Sequence, residues 1–103
     1  MPVTSDLPPV LSRGPLQGLR SKIEAALSGA LDECVSLRAS LLKLAPHLSA
    51  DLGYPTKKLA VSERAVLREL EAARVDADEL QGLIRWLEGQ INLMAHLRLA
   101  RAG

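Results

Sequence analysis

The stretch VLRELEAARVDADELQGLIRWLEGQINLM, residues 66–94, decides the fold of this 103-residue chain. Its apolar residues recur at alternating intervals of four and three positions, over about four heptads. We call such a line of apolar residues along one side of a helix a seam, and this one the second seam, because another precedes it in the chain. Its positions are Val66, Leu70, Ala73, Ala77, Leu80, Ile84, Leu87, Ile91 and Met94. Such spacing is typical of a long helix that is buried along one side against another helix. We therefore expect an all-α fold.

The composition supports a single helical domain. Leu and Ala dominate the 48% of hydrophobic residues, there is no Phe, and Tyr and Trp occur once each. Both dominant residues favour helix, and no run of β-branched residues alternates as in a strand. The net charge is +1, from 13 basic and 12 acidic residues. This balance gives no basic surface for nucleic acid or an anionic membrane, so neither is expected as a partner.

The single cysteine, Cys34, excludes a disulfide within the chain. A reducing, intracellular and cytoplasmic setting is the expectation that follows. No apolar run approaches the roughly 20 residues that a membrane span needs. The N-terminus lacks the apolar segment of a secretory signal, and its acidic residues and prolines disfavour a mitochondrial presequence.

Residues 1–14 are predicted to form an extended, proline-rich arm. Pro2, Pro8 and Pro9 each lack an amide donor and disfavour helix in the preceding residue. Two interpretations stay open at this point. The arm is either a disordered tail or a strap that lies in a groove, on this chain or on a partner, in a polyproline-like conformation.

The first long helix is predicted over residues 15–45, with Gly14 as N-cap, Pro15 at the first helical position, and Pro46 as its end. It carries a first seam with one extra residue between Ala30 and Cys34, which is a stutter in the heptad pattern. The positions of the first seam are Leu16, Leu19, Ile23, Ala26, Ala30, Cys34, Leu37, Leu41, Leu44 and Leu48.

A short turn over residues 46–53 and a loop over residues 54–61 are expected to lead to a second long helix, residues 62–100. Ser62 is a favoured N-cap, and Val61 with Val66 would form a hydrophobic staple. The pair Asp76 and Glu79 has capping-box spacing and would permit a break. Because the second seam stays in phase across this point, we predict one continuous helix of about 55 Å. Residues 15–103 would then form a long, coiled-coil-like antiparallel hairpin.

A further stripe begins halfway along this second helix. It comprises Leu83, Trp86, Gln90, Leu93 and Leu97. At about 100° per residue it is turned away from the second seam by a third to a half of the helix circumference. One partner helix cannot cover both, so these five residues are the predicted partner-binding site.

Three occupants of the stripe are considered. The arm or residues 46–52 would cover it within the monomer, a second copy would complete a four-helix bundle, or another protein would supply a helix. Trp86 would anchor any of these, since Trp is enriched at interface hot spots. Gly82 and Gly89 beside the stripe would let a neighbouring backbone approach closely, unless they are simply tolerated exposed glycines.

No pattern for catalysis, metal binding or cofactor binding is found. His47 and His96 belong to no metal-ligand motif, and Cys34 lies on the first seam, where a small core residue is expected. We therefore expect a protein that is not an enzyme and takes no cofactor.

Three functions remain for such a chain. The first is a non-enzymatic interaction module, an adaptor or structural subunit that adds helices to a larger complex or homo-oligomer. The alternative is a small helical chaperone that holds an amphipathic client helix on the stripe. A minor alternative is a helix-turn-helix DNA-binding regulator. It is disfavoured because the expected turn is acidic and its recognition helix offers only Gln81 and Arg85 to bases.

Overall fold

The structure, a computed structural model, describes residues 7–29, 31–49 and 56–102. Within these ranges the chain forms four α-helices, three short 3-10 helices and no strand. The α-helices are α1 (Gln17–Gly29), α2 (Leu31–Ser49), α3 (Val61–Ala72) and α4 (Ala77–Ala102). The 3-10 helices span Pro9–Ser12, Gly14–Leu16 and Thr56–Lys58. The predicted all-α class is confirmed.

The helices associate as two antiparallel pairs. In the pair α2 and α4, the sulfur of Cys34 lies 3.7 Å from that of Met94, and Arg38 meets Glu88 further along. In the pair α1 and α3, the amide of Leu19, near the start of α1, donates a hydrogen bond to Glu69, near the end of α3. Residue 30, between α1 and α2, lies outside the described ranges.

The two predicted seams supply the core. Every seam position whose side chain is described is buried or half-buried. Eleven large residues and Cys34 are almost completely inaccessible to solvent, and most of them are seam residues. The large residues are Leu11, Leu16, Leu19, Ile23, Leu41, Leu44, Leu70, Leu80, Leu83, Ile84 and Leu87.

The second long helix is not continuous, so the prediction of one helix over residues 62–100 is wrong. α3 ends at Ala72 with a Schellman turn, in which Arg74 adopts the left-handed conformation at φ 56°. The amide of Val75 donates to the carbonyl of Leu70 at 3.0 Å, and that of Arg74 donates to Glu71 at 3.1 Å. These two bonds satisfy carbonyls that the end of a helix leaves unpaired.

α4 then begins with the capping box that the sequence contains. The amide of Glu79 donates to Asp76 Oδ1 at 2.7 Å, and the amide of Asp76 donates to Glu79 Oε1 at 3.2 Å. Val75 and Leu80, which flank this box, are both buried in the core. The seam did not reveal the break because Ala73 and Leu80 face the same core on either side of the turn. We call residues 73–76 the corner.

α3 begins one residue earlier than predicted, and Ser62 is not its N-cap. The N-cap is Ala60, whose amide donates to Glu63 Oε1 at 2.9 Å. Val61 is 76% exposed, so the predicted staple with Val66 is not formed. Leu59, two residues earlier, enters the core instead.

Pro46 does not end the first long helix as predicted, because α2 continues through it to Ser49. The half-buried side chain of Leu48 packs against the core, and this contact favours the additional helical residues. Residues 50–55 lie outside the described ranges, and with them most of the predicted turn and loop.

The N-terminal arm is not extended where the structure describes it. It forms two short 3-10 helices, and both Leu11 and Leu16 are buried in the core. α1 therefore starts at Gln17 rather than at Pro15. We call residues 7–13 the N-terminal strap; residues 1–6 lie outside the described ranges.

Glu69 of α3 holds the start of α1. Its Oε1 accepts a hydrogen bond of 2.9 Å from the amide of Leu19, one of the first amides of the helix, which has no partner within the helix itself. Gly18 makes this contact possible, because a Cβ at that position would overlap the carboxylate of Glu69. The start of α1 is thus fixed to the end of α3.

Candidate functional site

The five residues of the predicted partner-binding stripe differ in exposure along α4. Leu83 is 1% exposed and belongs to the core, so it is not available to a partner as predicted. Trp86 is half-buried against the core, and Gln90 is also half-buried. Leu93 and Leu97 are 46% and 54% exposed. The structure therefore leaves only the second half of the stripe open.

This gradient follows from what packs on α4. The second seam of α4 packs on α2 along most of the length of the helix. The stripe faces away from that seam, so α2 does not shield it from solvent. Near the start of α4, Arg13 of the strap binds Glu79 on this face, and Leu83 lies in the core. Beyond Gln90 the structure places little against this face. We call Trp86, Gln90, Leu93 and Leu97 the docking surface.

Arg13 attaches the strap to the corner. One of its guanidinium nitrogens, Nη1, donates to the carbonyl of Ala73 at 3.1 Å and to Glu79 Oε1 at 3.2 Å. The other, Nη2, forms an ion pair with Glu79 Oε2. The bond from Arg13 and the one from the amide of Asp76 hold the pKa of the Glu79 carboxyl below its ordinary value. A bidentate pair of this kind fixes geometry as well as charge.

This contact was not predicted from the sequence. Arg13 and Glu79 are separated by 66 positions, and neither belongs to a motif that specifies the other. The one available signal is that Arg13 is a lone charge following an apolar, proline-rich segment. A charge at this position is equally compatible with an Arg13 that binds another part of the chain and with an Arg13 that is exposed to solvent.

A second apolar patch lies on the other side of the α2–α4 pair. Val35 and Leu42 of α2 are 45% and 39% exposed, and they share a face because they are seven residues apart. Arg38 lies between them and forms an ion pair of 3.3 Å with Glu88. Glu88 is two positions from both Trp86 and Gln90, which places it on the opposite side of α4 from the docking surface.

An open groove of about 470 Å³ lies between α1, α2 and α3. It exists because small side chains meet there, and these are Ala25, Ala26, Ser36, Ser40 and Ser62. Three carboxylates, those of Asp32, Glu33 and Glu63, also line it. They lie in the first turns of α2 and α3, where the positive end of each helix dipole stabilises negative charge.

Glu63 is a polar residue of the buried interior. The hydrogen bond that its carboxylate accepts from the amide of Ala60 is the main cause that lowers the pKa of Glu63. Burial of the carboxylate acts in the opposite direction and raises this pKa. Lys43, with its Nζ 3.6 Å from Glu63 Oε2, and Ser40 lower it further. The carboxylate is therefore engaged in holding the start of α3 against α2.

The candidate residues for chemistry are dispersed. Cys34 is fully buried, and burial together with the charge of Glu33 raises the pKa of its thiol. His47 lies in the last turn of α2, and His96 is exposed on α4. Among the residues that the structure describes, no group of His, Cys, Asp and Glu could hold a metal ion. None of the helices in this part of the chain could cross a membrane.

The corner also bears on the DNA-binding alternative. A turn between two helices exists at residues 73–76, as a helix-turn-helix would need. However, the first turn of α4 carries Asp78 and Glu79. In a helix-turn-helix protein, the first turn of the recognition helix is the part that approaches the bases. Carboxylates there would face the phosphate backbone, which is unfavourable.

Comparisons of the chain with protein-family models, with curated proteins and with solved structures found no match.

Proposed function

We propose that this protein is a non-enzymatic helical interaction module, an adaptor or structural subunit, whose docking surface on α4 receives a helix from a protein partner or a second copy. The observation that carries the proposal is the exposure of Leu93 and Leu97 one turn apart on a helix that is otherwise well packed. Scattered exposed leucines need no explanation, whereas an aligned pair on the same helix face as a half-buried tryptophan is typical of an interface.

The arrangement also supports docking of a helix in particular. Trp86, Gln90, Leu93 and Leu97 repeat at intervals of four, three and four, which is the spacing that knobs-into-holes packing uses. The half-buried Trp86 would form the firm end of the surface, because its ring is already packed against the core. The two leucines would supply the apolar area that becomes buried on binding.

The test is affinity capture with matched variants. The chain is immobilised and incubated with a lysate of its source organism, as the wild type, as Leu93→Asp with Leu97→Asp, and as Val61→Asp. Val61 is the most exposed large apolar residue described and lies on α3, away from the docking surface, so it controls for a new surface charge. Bound proteins are identified by mass spectrometry, and circular dichroism checks that each variant is folded.

We expect the wild type and Val61→Asp to retain the same protein and the double variant to lose it at least tenfold. Equal capture by all three folded chains would contradict the proposal. Val35→Asp with Leu42→Asp extends the test to the other apolar patch. If only that variant loses the partner, the interface lies on α2 and the assignment to α4 is wrong.

A further inference from the structure

Two sulfur atoms meet where the second half of α4 packs on α2. The thiol of Cys34, near the start of α2, donates a weak hydrogen bond to Sδ of Met94, and the two sulfurs lie 3.7 Å apart. Cys34 belongs to the first seam and Met94 to the second, and all other seam positions hold Leu, Ile, Val or Ala. The two residues of the seams that can be oxidised are therefore in direct contact.

The two sulfur-bearing side chains differ in their access to solvent. Cys34 is fully buried, whereas Met94 is half-buried, so part of its side chain reaches the surface of the molecule. A small reagent in solution can approach Met94 directly. To reach the thiol of Cys34, the same reagent must enter the packed interface between α2 and α4.

The two groups also differ in what makes them reactive. A cysteine reacts with oxidants as its thiolate. Burial and the charge of Glu33 raise the pKa of the Cys34 thiol, so this side chain stays protonated at neutral pH. The thioether of Met94 needs no deprotonation, because its sulfur carries free electron pairs in its ordinary state. Access and reactivity thus both favour oxidation of Met94 over Cys34.

We propose that Met94 is an oxidation site, at which a hydroperoxide converts the thioether to a sulfoxide and loosens the second half of α4 from α2. An electron pair of Sδ forms the S–O bond while the O–O bond of the peroxide breaks. The proton on the transferred oxygen passes to the departing hydroxide, which leaves as water. The sulfur is oxidised and the peroxide is reduced. This inference does not depend on the proposed function, since it concerns a contact within the chain.

The loosening follows from the small number of seam residues in this part of α4. Between Glu88 and Leu97 the second seam contributes Ile91 and Met94, and both are half-buried. A sulfoxide is polar, so it disfavours the apolar contact that the thioether makes on the seam. Oxidation would therefore remove one of these two apolar contacts, whereas the buried residues in the first half of α4 would keep theirs.

The change is reversible, and its reversal is specific. Methionine sulfoxide is returned to methionine by reductases that act on its two epimers. Recovery of the original α4 contacts after treatment with both reductases would separate oxidation of Met94 from damage to Trp86, which these enzymes do not repair.

The first test identifies the oxidised residue. The purified, folded chain is treated with hydrogen peroxide and digested with trypsin, and the peptides are analysed by mass spectrometry. Met1, Cys34 and Met94 fall in different peptides, residues 1–13, 23–38 and 86–98. Fragmentation of the third peptide distinguishes Met94 from Trp86.

We expect Met94 to gain one oxygen at least tenfold faster than Cys34 in the folded chain. In urea, which exposes the thiol, Cys34 should become the faster of the two. If Cys34 reacts as fast as Met94 in the folded chain, or if Met94 does not react, the assignment is wrong.

The second test measures what oxidation does to α4, by hydrogen exchange of the backbone amides with and without peroxide. Met94→Leu is the matched control, because it conserves the apolar volume, cannot form a sulfoxide and keeps Met1 as a second methionine. Met94→Gln introduces a polar side chain at this position without any oxidant.

Amides 91–97 should exchange at least tenfold faster in the oxidised wild type and in Met94→Gln, while amides 80–87 keep their rates. Met94→Leu should show no response to peroxide, and the two reductases should return the oxidised wild type to its original rates. If the fully oxidised wild type exchanges as slowly as the untreated chain, the loosening of α4 is refuted. If Met94→Gln does not fold, the oxidised wild type decides alone.

Discussion

The two halves of α4 share one helix and differ in almost everything that surrounds it. Among the side chains of α4 that the structure describes, residues 77–97, the buried ones all lie before Glu88, and these are Leu80, Leu83, Ile84 and Leu87. Among the side chains described from Glu88 to Leu97, none is buried. The first half packs on α2 and is joined to the strap by the pair of Arg13 with Glu79, whereas the second half relies mainly on α2. Within the described part of α4, the first half therefore contributes most to the core, and the second half leaves Leu93 and Leu97 exposed.

The largest expected effect separates the two halves directly. Leu80→Ala should lower the free energy of unfolding by about 2–5 kcal/mol, because it leaves a cavity in the core. Leu93→Ala should change it by about 0.5 kcal/mol or less, as is usual at the surface. Urea denaturation measures both. Equal losses would show that the second half is packed as tightly as the first and would remove the distinction.

The next effect tests how far the first half depends on its caps. Asp76→Ala removes the side chain that accepts from the amide of Glu79, and should cost about 1 kcal/mol. Ala60→Ser at the start of α3 should have the opposite sign and a similar size, because that N-cap has no side-chain acceptor. Thermal or urea unfolding of the two variants checks the signs. A neutral Asp76→Ala would mean that packing alone maintains the corner.

A smaller gain is expected at Arg74. Its left-handed conformation, at φ 56°, is unfavourable for a residue with a side chain and suits glycine. Arg74→Gly should stabilise the chain by up to about 1 kcal/mol. Arg68→Gly, inside α3, should instead destabilise it by about 1 kcal/mol. Opposite signs in the same denaturation assay would show that the corner is a fixed turn, whereas equal losses would show that it is helical in solution.

The smallest expected effect is the dependence of the free energy of unfolding on pH. The pKa of Glu79 is lowered in the folded chain, so its stabilising contribution is complete above the ordinary value near 4.5 and is lost as the pH falls through the lowered value. The pair is partly exposed, and solvent and salt screen it. We expect the wild type to lose slightly more stability than Glu79→Gln between pH 6 and pH 3 in urea titrations. Glu63, whose pKa is also lowered, contributes equally to both chains.

The seams were predictable because they depend only on local periodicity and on the exclusion of apolar groups from water. They placed Leu41, Leu70 and Ile84 correctly in the core without any knowledge of the loops. The corner was not predicted, although its capping box was visible in the sequence. A heptad pattern that stays in phase does not exclude a break in the helix when residues on both sides of the turn pack in the same core. Val75 and Leu80 do so here. Local capping signals were more informative.

The candidate site was less predictable than the core. Leu93 and Leu97 are exposed, but Leu83 is covered, and no local pattern could distinguish them, since all three share one stripe. Near the covered end of the stripe lies the ion pair of Arg13 with Glu79, whose members are 66 positions apart in the sequence. Long-range ion pairs of this kind leave no trace in periodicity or composition.

The bonds that tie the start of the chain to its second half have a consequence for synthesis. Arg13 finds its partner 66 residues later, and Leu19 finds Glu69 50 residues later. At about 5–20 residues per second a ribosome takes between about 3 and 13 seconds to cover the longer distance. The first residues to be made are thus among the last to dock. Until Glu69 and Glu79 have been made, the amide of Leu19 and the guanidinium of Arg13 can bond only to water.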